Sequence, residues 1–147
     1  MKYTKFDKSK NYDLNIIFVF EDNMSAIGRA IDRGPAFDDI KISINNKVMS
    51  GKTGSRNIFT SKLYDRSYYV IGLGIKSELT TQTFEKCLNT ALKEINRYKM
   101  SSISIDLTNI KIKNFNLLRG SIIEIEKAQY VYKKSSNTSL KQCALKL

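Results

Sequence analysis

The order of apolar segments between residues 68 and 125 constrains the fold of this chain most. Residues 68–71 are a short aromatic and β-branched run that Gly72-Leu73-Gly74 stops, which predicts a buried strand. Apolar side chains then recur with the period of an amphipathic helix, at Phe84, Cys87, Leu88, Ala91, Leu92 and Ile95. Residues 102–107 predict another strand, and a weaker helical stripe follows, at Phe115, Leu118, Ile122 and Ile125, with Gly120 inside it.

Strand, helix, strand and helix in succession predict a βαβα unit whose crossover is long enough for a parallel pair. The hydroxyl of Thr80 or Thr81 is placed to cap the first helix. A further buried strand is predicted at residues 14–20, a short helix at 24–32, and short strands at 40–44 and 57–60, with a turn at Asn45-Asn46. The sequence therefore predicts an α/β sandwich with a central mixed sheet flanked by helices.

Charge and length define the predicted domain. A chain of 147 residues suggests one domain, and its net charge of +11 lies mainly at its ends. Residues 1–10 carry +3 and residues 127–147 carry +5, whereas the 116 residues between them carry only +3. After Tyr132 the sequence becomes polar and lysine-rich. We therefore predict a folded domain over residues 1–133 and a basic polar tail or linker over 134–147, with Cys143 a free thiol in that tail.

Several classes of site are excluded or disfavoured. The chain has no histidine, which removes Ser-His-Asp and Cys-His nucleophiles and every zinc site that contains histidine. Acidic pairs occur at Glu21-Asp22, Asp38-Asp39 and Glu124/Glu126, but none forms a catalytic set, and no metal or cofactor is predicted. The apolar runs at 16–20 and 68–71 are too short to span a bilayer, and no secretory leader is visible. We expect a cytoplasmic protein that contacts no membrane.

Two glycine motifs resemble phosphate-binding loops. Gly51-Lys52-Thr53 looks like the end of a P-loop, but Asn46 stands where the first glycine is needed. Gly72-Leu73-Gly74 lies between a strand and a helix, as a dinucleotide fingerprint does, but Ser77 replaces its third glycine. Backbone geometry explains these glycines better, and the weak candidates for a phosphate loop are Gly72, Gly74 and Thr80.

The motifs together resemble the N-terminal domain of the leucyl aminopeptidase (cytosol aminopeptidase) family. The stretch from Tyr69 to Leu79 is similar to the family's apolar strand that ends in Val-Gly-Leu-Gly. The segment from Ser50 to Gly54 looks like its Phe-x-Gly-Lys-x-Gly segment, with Met49 in place of the aromatic residue. Arg119-Gly120 and the residues from Tyr130 to Lys133 look like the features that close the domain, although Arg119 replaces an acidic residue. The resemblance covers roughly residues 12–134.

This resemblance implies a macro-domain-like sandwich without a peptidase site. In the family a separate catalytic domain follows, which holds two metal ions through Asp, Glu and Lys ligands and carries an Asn-Thr-Asp-Ala-Glu-Gly-Arg signature. That signature does not occur in this chain. The implied role is a non-catalytic domain that supports oligomer assembly or regulation, by self-association or by contact with a catalytic aminopeptidase domain. Two alternatives remain: a basic nucleic-acid-binding module, and a macro-like domain that binds ADP-ribose or a related nucleotide.

Overall fold

A six-stranded mixed sheet with two helices forms the described part of the chain. The computed structural model describes residues 1–22, 50–61, 66–98, 100–133 and 140–147. The strands are β1 (Lys2–Lys5), β2 (Leu14–Val19), β3 (Arg56–Ser61), β4 (Arg66–Gly72), β5 (Ser102–Asp106) and β6 (Gln142–Lys146). The helices are α1 (Thr81–Ile95) and α2 (Leu117–Lys133).

The sheet has the strand order β1-β6-β5-β2-β4-β3. All neighbouring pairs are parallel except β3 and β4, which are antiparallel at one edge. The predicted mixed-sheet α/β architecture is therefore confirmed. The strands β4 and β5, which α1 connects, are parallel, but β2 lies between them and pairs with both.

One face of the sheet forms the main core with the two helices. Alternate side chains of the central strands point to this face and are fully buried, among them Leu14, Ile16, Tyr69, Ile71, Ile103 and Ile105. All six residues of the predicted α1 stripe are buried. Thr80 is the N-cap, and its hydroxyl accepts a hydrogen bond from the N–H of Thr83 at 3.2 Å. The strand and helix predictions for residues 68–107 are confirmed.

The predicted inward face of α2 is partly wrong. Leu118 is 38% exposed, whereas Ser121, Ile125 and Ala128 are buried. These three positions have helical spacing, so they lie on one buried side of α2, and α2 packs against α1. Gly120 has a steric role, because a β-carbon there would lie 2.1 Å from Cζ of Phe115.

The predicted tail is also wrong at its end, because residues 142–146 form β6 between β1 and β5. Cys143, Ala144 and Leu145 are buried, and burial raises the pKa of the free Cys143 thiol to about 12. Polar residues flank a three-residue apolar run here, so the strand becomes evident only once its two neighbours are known. Its partner β1 was not predicted either.

Some predictions lie outside the described residues. These are the helix at 24–32, the strand at 40–44, the turn at Asn45-Asn46, the pair Asp38-Asp39 and residues 134–139. In the described part of the chain, neither helix combines the length and apolar character that crossing a bilayer requires.

Candidate functional site

The two glycine motifs of the sequence lie against each other at the carboxyl ends of β2 and β4. A β-carbon on Gly51 would lie 2.3 Å from the backbone nitrogen of Glu21 and 2.5 Å from the carbonyl oxygen of Phe20. A β-carbon on Gly72 would lie 2.3 Å from the carbonyl oxygen of Lys52. Backbone therefore packs directly on backbone, which only glycine permits. We call the residues 20–21, 50–55 and 72–74 the glycine clamp.

Backbone hydrogen bonds join the three parts of the glycine clamp. The N–H groups of Gly72, Leu73 and Gly74 donate to the carbonyl oxygens of Ser55, Val19 and Gly51, at 2.7, 2.9 and 2.8 Å, and the N–H of Glu21 donates to the carbonyl oxygen of Gly74 at 2.9 Å. An anion cradle needs such N–H groups directed at the ligand. In this loop all three donate to protein oxygens, so none of them is directed at a ligand.

Thr80, the third candidate residue, belongs to a different local structure. A 3₁₀ turn at Lys76–Glu78 separates it from Gly74, and its hydroxyl interacts with Thr83 as the cap of α1. Gly74 has a φ of +84° and lies beside the hydroxyl of Thr53. The loop thus brings Gly72 and Gly74 together with the Gly51-Lys52-Thr53 motif, while Thr80 begins the helix. The assignment of these residues to ligand binding stays a prediction.

A polar cluster that the sequence did not indicate joins the edge strand β3 to α1. Glu94 accepts hydrogen bonds from Nε of Arg56 at 2.6 Å and from the hydroxyl of Tyr69 at 2.5 Å. The bond from Arg56 lowers the pKa of Glu94, whereas burial, followed by the bond to Glu94, raises the pKa of Tyr69. The pairing of β3 with β4 and the position of α1 against the sheet bring these three residues together, so no linear motif reveals the cluster.

Three other carboxylates, those of Asp13, Glu124 and Glu126, have structural partners. Asp13 accepts hydrogen bonds from the N–H groups of Ser101 and Ser102, at 2.7 and 3.0 Å. Glu124 is buried and pairs with Lys127 at 3.1 Å, while Glu126 accepts from the hydroxyl of Tyr3. Within residues 1–22, 50–61, 66–98, 100–133 and 140–147, no three His, Cys, Asp or Glu side chains are grouped to hold a metal ion.

Comparisons with known proteins agree with the architecture. The sequence model of the cytosol aminopeptidase family, N-terminal domain, matches residues 16–137. A probable cytosol aminopeptidase of Buchnera aphidicola subsp. Schizaphis graminum is 28% identical over an alignment of 99 residues that covers 61% of this chain and 19% of the relative. The chain thus spans about a fifth of the length of the curated relative it matches.

Solved structures show the same fold at low identity. A tomato leucine aminopeptidase superposes with a TM-score of 0.61 and 13% identity, over 99% of this chain and 32% of the enzyme. A macrodomain of Oceanobacillus iheyensis gives a TM-score of 0.66 and 15% identity, over 99% of this chain and 83% of the macrodomain. The sheet and helices described above therefore form a macrodomain-like fold.

Proposed function

Because this chain belongs to the cytosol aminopeptidase family as its N-terminal domain, we propose that it acts as a non-catalytic domain that supports assembly of an aminopeptidase. The observation that carries this proposal is the match of the N-terminal domain model to residues 16–137. The peptidase activity in the names of the Buchnera and tomato proteins belongs to chains that extend far beyond the matched region. We also propose a cytoplasmic location, which the name of the curated relative supports.

The partners of the carboxylates support a non-catalytic role. A two-metal peptidase site needs several carboxylates that converge on a shared cation. Here Glu94, Glu124 and Asp13 each face protein donors on a different part of the fold. Their hydrogen bonds stabilise the domain and leave them poorly placed to share a metal.

The outer face of α2 supports a role in assembly. Ile123 and Tyr130 are 44% and 62% exposed, and their seven-residue spacing puts them on the same side of the helix. A small cavity of about 180 Å³ lies beside Ile123, lined also by Phe115 and Gly120. An exposed apolar side chain next to a cavity is the arrangement that a contact with a second copy of the chain would bury.

The non-catalytic role is tested by a peptidase assay. We expect no hydrolysis of Leu-p-nitroanilide by the purified chain with added Mn²⁺ or Zn²⁺. Turnover that increases in proportion to the concentration of this chain would overturn the proposal.

The assembly role is tested by sedimentation velocity over a range of concentrations. We expect self-association that Ile123→Glu weakens, because a charge would have to be buried in the contact. The matched control is Lys93→Glu, which introduces the same residue at an exposed position of α1 and should leave the distribution unchanged. A chain that is monomeric at every concentration would contradict the assembly role.

Nucleic-acid binding is a second candidate, which the pairing of β1 with β6 favours. That pairing brings the two basic ends of the chain to one edge of the sheet, with Lys2 and Lys5 on β1 and Lys141 and Lys146 at β6. Neutralising phosphates with such a patch gives an affinity that falls steeply with salt. A gel shift with duplex DNA at 50 and 200 mM salt tests this candidate, and an affinity independent of salt would exclude it.

A further inference from the structure

A cavity of about 260 Å³ opens on the face of the sheet opposite to α1 and α2. Its floor includes Asn15 and Ser104, which are neighbours on β2 and β5. The hydroxyl of Ser104 donates to Oδ1 of Asn15 at 2.6 Å, and Nδ2 of Asn15 donates to the carbonyl oxygen of Ser67 at 3.1 Å. The floor is therefore polar and held in place.

Cations from separate segments line this cavity. Lys10 comes from the β1–β2 connection, Arg66 from the start of β4 and Lys146 from the end of β6, and Lys8 lines it as well. Nε of Arg66 lies 3.3 Å from Oδ1 of Asn11, so this bond holds the guanidinium at the cavity. The described lining carries four cations and one acid, and such a wall attracts an anion.

The acid is Asp106, whose side chain is only 10% exposed. Its Oδ1 accepts hydrogen bonds from the N–H and the hydroxyl of Thr108, at 3.0 and 2.5 Å. Its Oδ2 is buried and accepts no hydrogen bond from the described residues, although Nζ of Lys146 lies 3.3 Å away. Lys146 compensates the charge of Asp106, and a carboxylate accepts more hydrogen bonds than this one ion pair and the two bonds from Thr108 supply, so it can also accept from a ligand.

Aromatic rings complete the wall. Phe6 and Tyr12 stack with their centroids 5.6 Å apart, and Nζ of Lys146 lies 5.4 Å from the centroid of Phe6. Tyr68 also lines the cavity and is buried. The site thus offers cations, a hydrogen-bond acceptor and flat apolar surface within a volume below the roughly 300–1,000 Å³ of drug-sized pockets.

We propose that this cavity binds a small phosphate monoester that carries hydroxyl groups, of the sugar phosphate class. The guanidinium of Arg66 and the ammonium of Lys10 bind the phosphate, because a guanidinium pairs with two phosphate oxygens at once. A sugar hydroxyl donates to the carboxylate of Asp106. This site lies on the sheet face away from the core, and it does not use the glycine clamp.

Calorimetric titration of the full chain tests this proposal, with ribose 5-phosphate, ribose and inorganic phosphate as probes. We expect saturable binding of ribose 5-phosphate, affinity about tenfold lower for inorganic phosphate, because one hydrogen bond to Asp106 is missing, and no binding of ribose. Equal affinities for ribose 5-phosphate and inorganic phosphate, or no saturation with ribose 5-phosphate at millimolar concentration, would overturn it.

Variants separate the two parts of the site. Arg66→Gln and Lys10→Gln should each lower the affinity for ribose 5-phosphate by about tenfold or more. If Arg66→Gln does not fold, Lys10→Gln still tests the contact with the phosphate. Asp106→Asn should bring the affinity for ribose 5-phosphate close to that for inorganic phosphate, since the amide places a donor where the hydroxyl needs an acceptor. Lys93→Gln, an exposed lysine on α1, is the charge-matched control and should change neither affinity.

One further binding experiment distinguishes a sugar phosphate from nucleic acid as the ligand of this cavity. A single-stranded oligonucleotide presents phosphate diesters to the same cations. If Arg66→Gln and Lys10→Gln abolish oligonucleotide binding while ribose 5-phosphate gives no signal with the unsubstituted chain, the proposal is wrong and the cations belong to a nucleic-acid surface.

Discussion

Two glycines of the glycine clamp are needed for different physical reasons, so we expect alanine to destabilise the domain by different amounts at the two positions. Gly54 has a φ of +81°, and nothing lies within 4 Å of a β-carbon added there. Gly72 is not in the left-handed region, but its β-carbon would lie 2.3 Å from the carbonyl oxygen of Lys52. Gly54→Ala therefore tests backbone conformation alone, and Gly72→Ala tests steric overlap alone.

The expected magnitudes follow from these contacts. Placing alanine in the left-handed region costs about 1–2 kcal/mol, so we expect Gly54→Ala to lower the free energy of unfolding by that amount. In Gly72→Ala the backbone has to move apart, at a cost of about 1–3 kcal/mol for overpacking. That movement also strains the bonds from Gly72 to Ser55 and from Gly54 to Gly72, each worth about 1 kcal/mol. The expected loss for Gly72→Ala is about 3–5 kcal/mol, a large part of the stability of a typical domain.

Urea unfolding followed by far-ultraviolet circular dichroism measures both losses, since the chain has no tryptophan. Gly51→Ala serves as an independent repeat, because its β-carbon would also meet backbone atoms, at 2.3 Å from the nitrogen of Glu21. We expect it to behave like Gly72→Ala. A Gly54→Ala variant that loses as much stability as Gly72→Ala and Gly51→Ala would refute the steric account of the clamp.

Three further predictions concern the helices, the last strand and the polar cluster. Gly120→Ala should destabilise the domain by about 1–3 kcal/mol through its overlap with Phe115, and Phe115→Leu should relieve part of that loss in the double variant, as thermal unfolding will show. Deleting residues 140–147 removes β6 from the sheet interior and should abolish cooperative unfolding by urea, whereas a variant shortened by Leu147 alone should unfold as the full chain does. The pKa of Glu94 is lower in the folded chain than its ordinary value of 4.5. The charged carboxylate therefore stabilises the fold fully above pH 4.5, and this stabilisation is lost as the pH falls through the lower pKa of the folded state. The stability difference between the unsubstituted chain and Glu94→Gln should accordingly be constant at neutral pH and shrink in acid, and a difference that grows below pH 4 would contradict this account.

Local sequence patterns predicted the central part of the fold, because those elements have strong periodicity of their own. The stripe of α1 and the Thr80 cap lie within one helix, and β2, β4 and β5 are buried runs that need no partner to be recognised. The first and last strands, at residues 2–5 and 142–146, are short, and neither has a long apolar run or a clear alternation of its own. Their place in the sheet comes from pairing with residues that are distant in sequence, which no local pattern contains.

The candidate sites, like the fold, were predictable from the sequence only in part. Gly72 and Gly74 were recognised as turn residues from their place after a strand. Their contact with the Gly51 loop depends on the arrangement of the sheet, and so does the cavity that Asp106 and Arg66 both line. Sequence indicates which residues have unusual chemistry or geometry, but their grouping follows from strand order.

The position of β6 has a consequence for folding during synthesis. The first strand, Lys2–Lys5, pairs with β6, whose residues lie about 140 positions later in the chain. A ribosome that makes about 5–20 residues per second leaves β1 without that neighbour for several seconds or more. Closing so long a loop is entropically unfavourable, so the pairing of β1 waits until β6 has emerged and docked beside β5. The nascent chain therefore carries an unpaired, lysine-bearing strand whose charges discourage pairing with other nascent chains.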